Sequence, residues 1–282
     1  MNILITGAMG FCGRGLYKIL SQENTYNLFI SDIQEYTADN YICSNLADLA
    51  SVSKLLKKTK PDKIFHFAGS FSNQYSKDYS VNVLATKNLL DAVKTLNINC
   101  RLLLVGSAAE YGDVNEADNP VQESYPLNPI SSYGLTKVFQ TYLMKYYVNN
   151  FSMDIVMARP FNIYGKNISE KLFVGKVYQQ IKLLKENKIK KIILGNLESE
   201  RDYIALEDTL NHYIRIMKYG DSGQIYNVGN GFPIKTKVVL DQILKEENID
   251  NRFIESSVSE HNKQTEVNII YADITKLKGL NL

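Results

Sequence analysis

The stretch Ile3–Gly13, which reads ILITGAMGFCG, decides the fold because a short apolar run meets three glycines spaced three residues apart. The run predicts a buried strand, and the glycines predict a tight turn into a helix. In such a turn Gly7 permits the reversal, Gly10 lets an anion approach the backbone, and Gly13 lets helix and strand pack closely. Because the free N–H groups of the helix would then face the anion, the stretch predicts a dinucleotide-binding turn.

Outward from this turn, short apolar runs alternate with helix-length amphipathic segments. The strand-like runs are continuously apolar, which is typical of strands covered on both faces of a parallel sheet. The predicted strands are Ile3–Thr6, Leu28–Asp32, Lys63–Ala68, Arg101–Ser107 and Asp154–Pro160, and the predicted helices are Gly15–Ser21, Leu46–Thr59, Ser80–Leu96 and Ser131–Phe151. This alternation predicts an α/β fold, with a doubly wound parallel sheet of the Rossmann type over residues 1–165.

After Gly165 the pattern loosens, and residues 166–282 are expected to form a smaller C-terminal lobe. The length of 282 residues suits one large domain with such an addition. The predicted elements of the lobe are the helices Phe173–Glu186, Leu206–Met217 and Thr236–Glu246 and the strands Lys191–Leu194 and Ile225–Val228. Segments at about 203–228 are expected to return to the larger domain.

Composition and charge exclude several functional classes. Hydrophobic residues make up 45% and charged residues 22% of the chain, and the formal net charge is +2, so neither nucleic acid nor a membrane is an expected partner. The start does not read as a signal peptide, and no apolar run could span a bilayer; with scattered cysteines, this predicts a reduced, cytoplasmic protein. No metal site is expected because the cysteines and histidines are dispersed, at Cys12, Cys43, Cys100, His66, His212 and His261.

Asp32 ends the second predicted strand, at the edge of the sheet where the glycine turn also lies. A carboxylate there can accept hydrogen bonds from an adenosine ribose and would repel a 2′-phosphate. No arginine follows Asp32 directly, which agrees with that role, although a solvated acid in a turn would give the same sequence. We therefore expect NAD(H) as the cofactor in preference to NADP(H).

Tyr133 and Lys137 are four residues apart in the predicted helix Ser131–Phe151, so both lie on one face. A phenol has an ordinary pKa of about 10, and a nearby ammonium lowers it by favouring the phenolate. The pair therefore predicts a tunable general acid and base, although the spacing also arises by chance in a helix so rich in tyrosine. Ser107, at the end of a predicted strand, would lie at the same edge of the sheet.

The glycine turn, Ser107 and the Tyr133–Lys137 pair together make the sequence resemble the extended short-chain dehydrogenase/reductase family, which includes NAD-dependent epimerases and dehydratases. The resemblance runs along nearly the whole chain. Further segments similar to family motifs are His66-Phe67-Ala68-Gly69, Asn45-Leu46, the segment Asn82–Leu90, Arg159–Gly165 and Arg201-Asp202-Tyr203-Ile204. The chain departs from the family pattern at Asn45, where Asp is usual, and at Ala85, where Gly is usual.

The resemblance implies a role for each matching residue. Tyr133 would be the catalytic acid and base, Lys137 would lower its pKa and hold the nicotinamide ribose, and Ser107 would hydrogen-bond the reacting oxygen. The implied cofactor-binding residues are Gly7, Gly10, Phe11, Gly13, Asp32, Asn45, Leu46, Phe67, Ala68, Gly69, Asn82, Tyr133, Lys137 and Pro160. The implied substrate-binding residues are Ser107, Ala108, Tyr133, Asn162 and Arg201.

The same resemblance implies the partners of the chain. Asn162 and Arg201 would hold the diphosphate of a nucleotide sugar, for which Arg offers a forked and permanent charge. The smaller lobe would bind that nucleotide sugar. In the family the helix that carries the tyrosine helps to form a dimer, so a homodimer is expected.

Ala108 and Ala109 bear on which reaction of the family this chain performs. A 4,6-dehydratase needs an acid and a base beyond serine, tyrosine and lysine, and the family commonly places them in the two positions after this serine. Neither alanine can transfer a proton, and Glu110 comes one place too late because Tyr111-Gly112 sets the register. No Cys and His pair for epimerisation at C3 and C5 lies near the loop.

Of the reactions of the family, reduction or epimerisation at C4 of the sugar therefore remains. Segments 105–112, 195–203 and 223–229 are similar to those of reductases acting on nucleotide-linked 4-keto-6-deoxysugars such as GDP-4-keto-6-deoxymannose. The sequence thus predicts an NAD(P)H-dependent reductase that delivers hydride to C4, with Tyr133 as proton donor, in the biosynthesis of a surface polysaccharide. An NAD-dependent C4 epimerase is the alternative because it would use the same three residues, and a cofactor-sensing binding protein is a third reading.

Overall fold

Seven parallel strands form one sheet at the centre of the protein, in a computed structural model that describes residues 1–23, 25–256 and 269–280. The strands are β1 (Asn2–Thr6), β2 (Asn27–Asp32), β3 (Tyr41–Cys43), β4 (Lys63–His66), β5 (Arg101–Val105), β6 (Ile155–Pro160) and β11 (Ile225–Val228). Their order is β11-β6-β5-β4-β1-β2-β3. The order reverses between β1 and β4, and such a switch point opens a crevice at the carboxyl ends of the strands. The predicted α/β Rossmann fold is confirmed.

Helices cover both faces of this sheet, which explains why its strands are apolar throughout. Ile3 and Ile5 of β1 pack in a core with α1 and α7, whereas Leu4 points to the other face and packs with α2, α4 and α5. The helices are α1 (Phe11–Leu20), α2 (Leu49–Thr59), α3 (Tyr75–Asp78), α4 (Ala85–Thr95), α5 (Ser132–Phe151), α6 (Phe173–Lys185), α7 (Leu206–Tyr219), α8 (Thr236–Glu247) and α9 (Thr275–Lys278).

Several element boundaries differ from the sequence prediction for local reasons. The fourth strand ends at His66 instead of Ala68, and the fifth ends at Val105 instead of Ser107. The helix α2 begins at Leu49 instead of Leu46 because the Asp48 carboxylate caps it. The predicted helix Ser80–Leu96 is a π-helical segment, Tyr79–Leu84, followed by α4, and the short edge strand β3 was not predicted.

The residues after 160 build three small sheets beside the central one. Their strands are β7 (Asn162–Tyr164), β8 (Ile192–Leu194), β9 (Glu200–Arg201), β10 (Tyr203–Ala205), β12 (Ile234–Lys235), β13 (Ile254–Ser256) and β14 (Ile269–Ile270). They pair as β10-β7, β12-β9-β14 and β13-β8. A separate apolar core packs α6 against α8, whereas α7 and β11 pack with the central sheet. The division into domains at residue 165 stays a prediction.

Asp202, between β9 and β10, ties distant parts of the chain together. Its side chain is fully buried. The carboxylate accepts hydrogen bonds from the backbone N–H groups of Asn230 (2.7 Å), Gly231 (3.0 Å) and Ala272 (3.1 Å). Ala272 also pairs with Val121 in a parallel bridge. The residue therefore joins β9, the turn after β11 and the segment after β14.

Within the described ranges, no helix is long and apolar enough to cross a lipid bilayer.

Candidate active site

The glycine turn lies between β1 and the first turn of α1. Gly7 has a φ of +67°, and a Cβ atom there would lie 2.5 Å from the Ala68 nitrogen, so a side chain is excluded. A Cβ atom on Gly13 would lie 2.3 Å from the Gly7 oxygen. Gly10 caps α1 and offers no side-chain acceptor to its first N–H groups. These groups are therefore open to an anion such as a dinucleotide pyrophosphate.

A cavity of about 470 Å³ opens beside this turn, and we call it the glycine-loop cavity. Eight of the predicted cofactor-binding residues line it, namely Gly7, Gly10, Asp32, Asn45, Leu46, Phe67, Ala68 and Gly69. Sequence reasoning missed other lining side chains, among them Gln34 and Lys77. Gln34 lies in the loop after β2, and Lys77 lies on the four-residue helix α3, and neither segment is long enough to show a periodic pattern. The glycine cradle and this lining fit a dinucleotide.

Asp32 has a structural task as well as a place in the cavity wall. One carboxylate oxygen accepts a hydrogen bond from the Met9 N–H of the glycine turn (2.9 Å). The other accepts a bond from the Ile33 N–H (2.8 Å). The carboxylate therefore stabilises the glycine turn through a hydrogen bond and also lines the glycine-loop cavity.

Asn82 does not line either cavity but holds a loop that does. Its buried side chain donates to the Ser70 oxygen (2.9 Å) and accepts from the Ser70 N–H (2.8 Å). A further bond from its amide reaches the Thr136 hydroxyl in α5 (2.9 Å). Asn82 thus fixes the chain next to Gly69, so its predicted contact with a cofactor stays a prediction.

A second cavity, of about 630 Å³, lies across the carboxyl ends of β5 and β6, and we call it the tyrosine cavity. It brings together all five predicted substrate-binding residues, Ser107, Ala108, Tyr133, Asn162 and Arg201. The predicted cofactor-binding residues Phe11 and Pro160 line it too. Its wall includes Phe71, a loop residue that sequence reasoning missed. No Asp, Glu, His or Cys occurs among the described residues that line it.

Lys137 lies near Tyr133 but is not among the described residues that line the tyrosine cavity. Its Nζ atom is 5.8 Å from the centre of the Tyr133 ring. The ammonium donates to the Val105 oxygen (2.8 Å) and to the Gln140 Oε1 atom (3.0 Å). The spacing of four residues therefore places the two side chains near each other, as predicted.

The pKa values of this pair differ from the sequence expectation. Burial raises the pKa of Tyr133 to about 12, although the hydrogen-bonded Ser107 hydroxyl lowers it. In the protein alone the pKa of this phenol therefore lies above its ordinary value, opposite to the direction expected from the sequence, and burial is the largest cause. Burial also lowers the pKa of Lys137 to about 8, against an opposing effect of Glu110.

Glu110 faces the protein interior and not the tyrosine cavity. Its carboxylate accepts the Ser107 N–H (2.8 Å) and forms a fully buried ion pair with Arg159 (2.9 Å). The Ser107 hydroxyl accepts the Ala109 N–H (3.2 Å) and closes a short helical turn. A Cβ atom on Gly134 would lie 2.4 Å from the Ala109 oxygen, so the start of α5 and this turn touch. The Glu110 carboxylate therefore fixes the backbone of Ser107 from the interior of the protein.

His66 is held between two hydroxyl groups. Its ring nitrogens lie 2.8 Å from the Thr6 hydroxyl and 3.0 Å from the Thr86 hydroxyl. Burial lowers the pKa of this imidazole to about 3, so it is neutral at physiological pH. Gln140 joins the same group by donating to Thr86 (2.8 Å), which links it to Lys137. His66 is structural, and the described residues contain no cluster of side chains that could hold a metal ion.

Residues 3–229 match the sequence pattern of the NAD dependent epimerase/dehydratase family. The chain belongs to this family. It is 25% identical over 246 residues to a GDP-6-deoxy-D-mannose reductase of Pseudomonas aeruginosa, covering 85% of this chain and 78% of that protein. It is 29% identical over 285 residues to a GDP-6-deoxy-D-talose 4-dehydrogenase of Aggregatibacter actinomycetemcomitans, covering 99% of this chain and 88% of that protein.

A solved structure supports the fold. The structure of RMD from Pseudomonas aeruginosa complexed with NADPH superimposes with a TM-score of 0.85, over 100% of this chain and 92% of that one, at 21% identity. The predicted membership of the extended short-chain dehydrogenase/reductase family is confirmed by the family match and these relatives.

Proposed function

We propose that this chain is an NAD(P)H-dependent reductase of the C4 ketone of a nucleotide-linked 4-keto-6-deoxyhexose, which would supply a sugar for a surface polysaccharide. The observation that carries the proposal is the wall of the tyrosine cavity. Tyr133 and Ser107 line it together with Ala108 and Ala109, and the described lining residues include no carboxylate, imidazole or thiol. Dehydration and epimerisation at C3 or C5 each need such an additional acid or base.

The side chains of this cavity support proton donation to a ketone. Because the pKa of Tyr133 is raised to about 12, the phenol stays protonated at neutral pH and can act as the acid in a reduction. The Ser107 hydroxyl can hydrogen-bond the same oxygen as negative charge develops on it. The nicotinamide ring, when bound, supplies the hydride. The buried ammonium of Lys137 stabilises the phenolate that remains.

Arg201 and Asn162 are the proposed anchors for the substrate diphosphate. Both line the tyrosine cavity from strands of the small sheets. The Arg201 guanidinium donates one bond to the Glu200 oxygen (2.9 Å), and the Asn162 amide donates to the Asp202 oxygen (3.2 Å). These bonds orient the two polar groups before a ligand arrives, which lowers the entropic cost of binding.

We propose NAD(H) as the preferred cofactor and a homodimer as the assembly. The Asp32 carboxylate in the wall of the glycine-loop cavity would bind a ribose and repel a 2′-phosphate. The helix α5 leaves Tyr142 and Tyr146 exposed at 59% and 54%, and aromatic side chains are enriched at protein interfaces. That exposure supports pairing through α5.

The test follows the absorbance of NADH and of NADPH with GDP-, CDP-, UDP- and dTDP-linked 4-keto-6-deoxyhexoses. We expect oxidation with one of them, a higher kcat/KM for NADH, and a loss of about 10²- to 10⁴-fold in Tyr133→Phe, with cofactor binding retained. Interconversion of NDP-hexoses without net oxidation of NADH would assign a C4 epimerase instead. Ligand binding without any turnover, unchanged in Tyr133→Phe, would assign a binding protein.

A further inference from the structure

The loop between β4 and α3, residues 67–74, forms part of both cavities. Gly69 and Ser70 line the glycine-loop cavity, whereas Phe71 and Asn73 line the tyrosine cavity. The chain therefore crosses from one cavity to the other between two consecutive residues. The position of this loop therefore affects the shape of both cavities at the place where they adjoin.

Two buried side chains hold the loop on either side of Phe71. Asn82 binds the backbone of Ser70 on one side, through both its amide nitrogen and its oxygen. On the other side, the Oδ1 atom of Asp78 accepts bonds from the Ser72 N–H (2.9 Å) and the Ser72 hydroxyl (2.7 Å). Asp78 and Asn82 are both fully buried. The backbone of Phe71 is thus fixed at both ends.

The ring of Phe71 packs edge-on against the ring of Tyr133. The ring centres are 4.8 Å apart and the planes meet at 88°, a favourable geometry for two aromatic rings. Phe71 is itself 38% exposed. The surrounding protein does not enclose its ring, so its position depends on the loop that carries it.

Asp78 is a buried carboxylate whose charge is stabilised by the loop itself. Its Oδ2 atom is buried and makes no hydrogen bond within the part of the chain that the structure describes, and no cation there forms an ion pair with the carboxylate. Although burial raises the pKa of Asp78, hydrogen bonds from Ser72, with smaller effects of the Ser70 side chain and the Asn73 backbone, hold it below its ordinary value, so the group is charged at neutral pH. The donors to this buried carboxylate come from the loop that carries Phe71, so the charge and the position of the loop depend on each other.

We propose that Asp78 is a positioning residue, which holds Phe71 against Tyr133 and so keeps the phenol hydroxyl aligned with the oxygen of the ketone that is reduced. The inference rests on the proposed C4 chemistry at Tyr133. Because reacting groups must be aligned within fractions of an ångström, displacement by about 1 Å costs up to about 100-fold in rate. Asp78 touches no reacting atom. Its charge raises the pKa of Tyr133 and of Lys137 from a distance, whereas its hold on the ring runs through Ser72 and Phe71.

The first measurement needs no turnover. Protein labelled with 3-fluorotyrosine gives a ¹⁹F resonance for residue 133, assigned by its loss in Tyr133→Phe, and a neighbouring ring shifts that resonance. We expect Asp78→Ala to move the resonance in the same direction as Phe71→Ala, and Asp78→Asn, which keeps an oxygen acceptor for Ser72, to leave it near the wild-type position. An unmoved resonance in Asp78→Ala would overturn the proposal.

The second measurement is the reaction itself. We expect Asp78→Ala to lower kcat by about 10- to 100-fold with a smaller change in KM, and to add no further loss in a protein that already carries Phe71→Ala. Additive losses would show that Asp78 does not act through Phe71. If the wild type shows no reductase or epimerase activity, the proposed function fails, while the ¹⁹F measurement still decides the role of Asp78.

Asp91→Ala is the matched control. The Asp91 carboxylate also accepts from a hydroxyl and a second donor, Tyr147 and Lys87, but it lies on α4 and lines neither cavity. It should change neither the resonance nor kcat. If Asp78→Ala fails to fold, Ser72→Ala removes only the hydroxyl donor, and it should still move the resonance part of the way toward its position in Phe71→Ala. A Ser72→Ala resonance at the wild-type position would contradict the proposal.

Discussion

Lys137 loses its positive charge within the pH range of an ordinary assay, because burial lowers its pKa. Burial lowers its pKa from 10.5 to about 8, and the acids Glu110 and Asp78 and the Cys12 thiol oppose that shift. Below about pH 8 the group is therefore an ammonium. Tyr133, with a pKa of about 12, stays protonated throughout the same range.

We predict that the rate of ketone reduction falls as the pH rises through about 8, because Lys137 then loses the charge that stabilises the phenolate. The limit is a tenfold fall for each pH unit above the pKa. Measuring kcat/KM for the ketone from pH 6 to pH 10 checks this. Lys137→Arg, which stays charged, should remove the descending limb if the variant is active. A wild-type profile that stays level to pH 10 would contradict the assignment.

The residues of the proposed catalytic pair also show what a sequence can and cannot predict at this scale. The spacing of Tyr133 and Lys137 was enough to place them together, because helical geometry is local. The direction of the pKa shift was not predictable from spacing, since desolvation depends on the side chains that arrive from other elements. Phe71 was missed for a similar reason, because its contact with Tyr133 joins a loop to a helix 62 positions later.

At the scale of elements, the start of α5 and the turn after β5 are in direct backbone contact at Gly134. A Cβ atom there would lie 2.4 Å from the Ala109 oxygen and 3.1 Å from the Cβ atom of Pro129. We predict that Gly134→Ala lowers the free energy of unfolding by about 1–3 kcal/mol because backbone must move. Since Tyr133 is the neighbouring residue, the rate of reduction should fall as well.

Urea unfolding and the absorbance assay measure the two effects of Gly134→Ala. The control is Gly195→Ala, because no atom lies within 4 Å of the Cβ position at Gly195. It should leave both stability and rate close to those of the wild type. Equal stability of the two variants would show that the turn and α5 can separate without cost.

The strands that the sequence predicted are those formed by an uninterrupted run of apolar residues. Apolar runs identified five strands of the central sheet before Gly165, because each is covered on both faces. The edge strand β3 has only three residues and gives no such run. The ion pair of Glu110 with Arg159 was also beyond prediction, since its partners are 49 positions apart and meet only when β5 and β6 pair.

At the scale of the whole molecule, the exposed tyrosines of α5 bear on assembly. We predict that Tyr142→Lys together with Tyr146→Lys converts a dimer into a monomer, because two buried charges at a symmetric interface are costly. Light scattering after size-exclusion chromatography measures the mass. Val238→Lys, at a residue that is 55% exposed on α8, should leave the mass unchanged. A wild-type chain that is monomeric at every concentration would rule out the homodimer.

The hydrogen bonds of Asp202 have a consequence for the order in which the protein is completed during synthesis. Its carboxylate cannot complete its hydrogen bonds until the N–H of Ala272 is present. Ile270 of β14, which lines the tyrosine cavity, pairs with Arg201 of β9. The strands β1 to β6 leave the ribosome more than a hundred residues earlier and can assemble without them. A nascent chain should therefore acquire the glycine-loop cavity first and complete the tyrosine cavity only after Ala272 has left the ribosome.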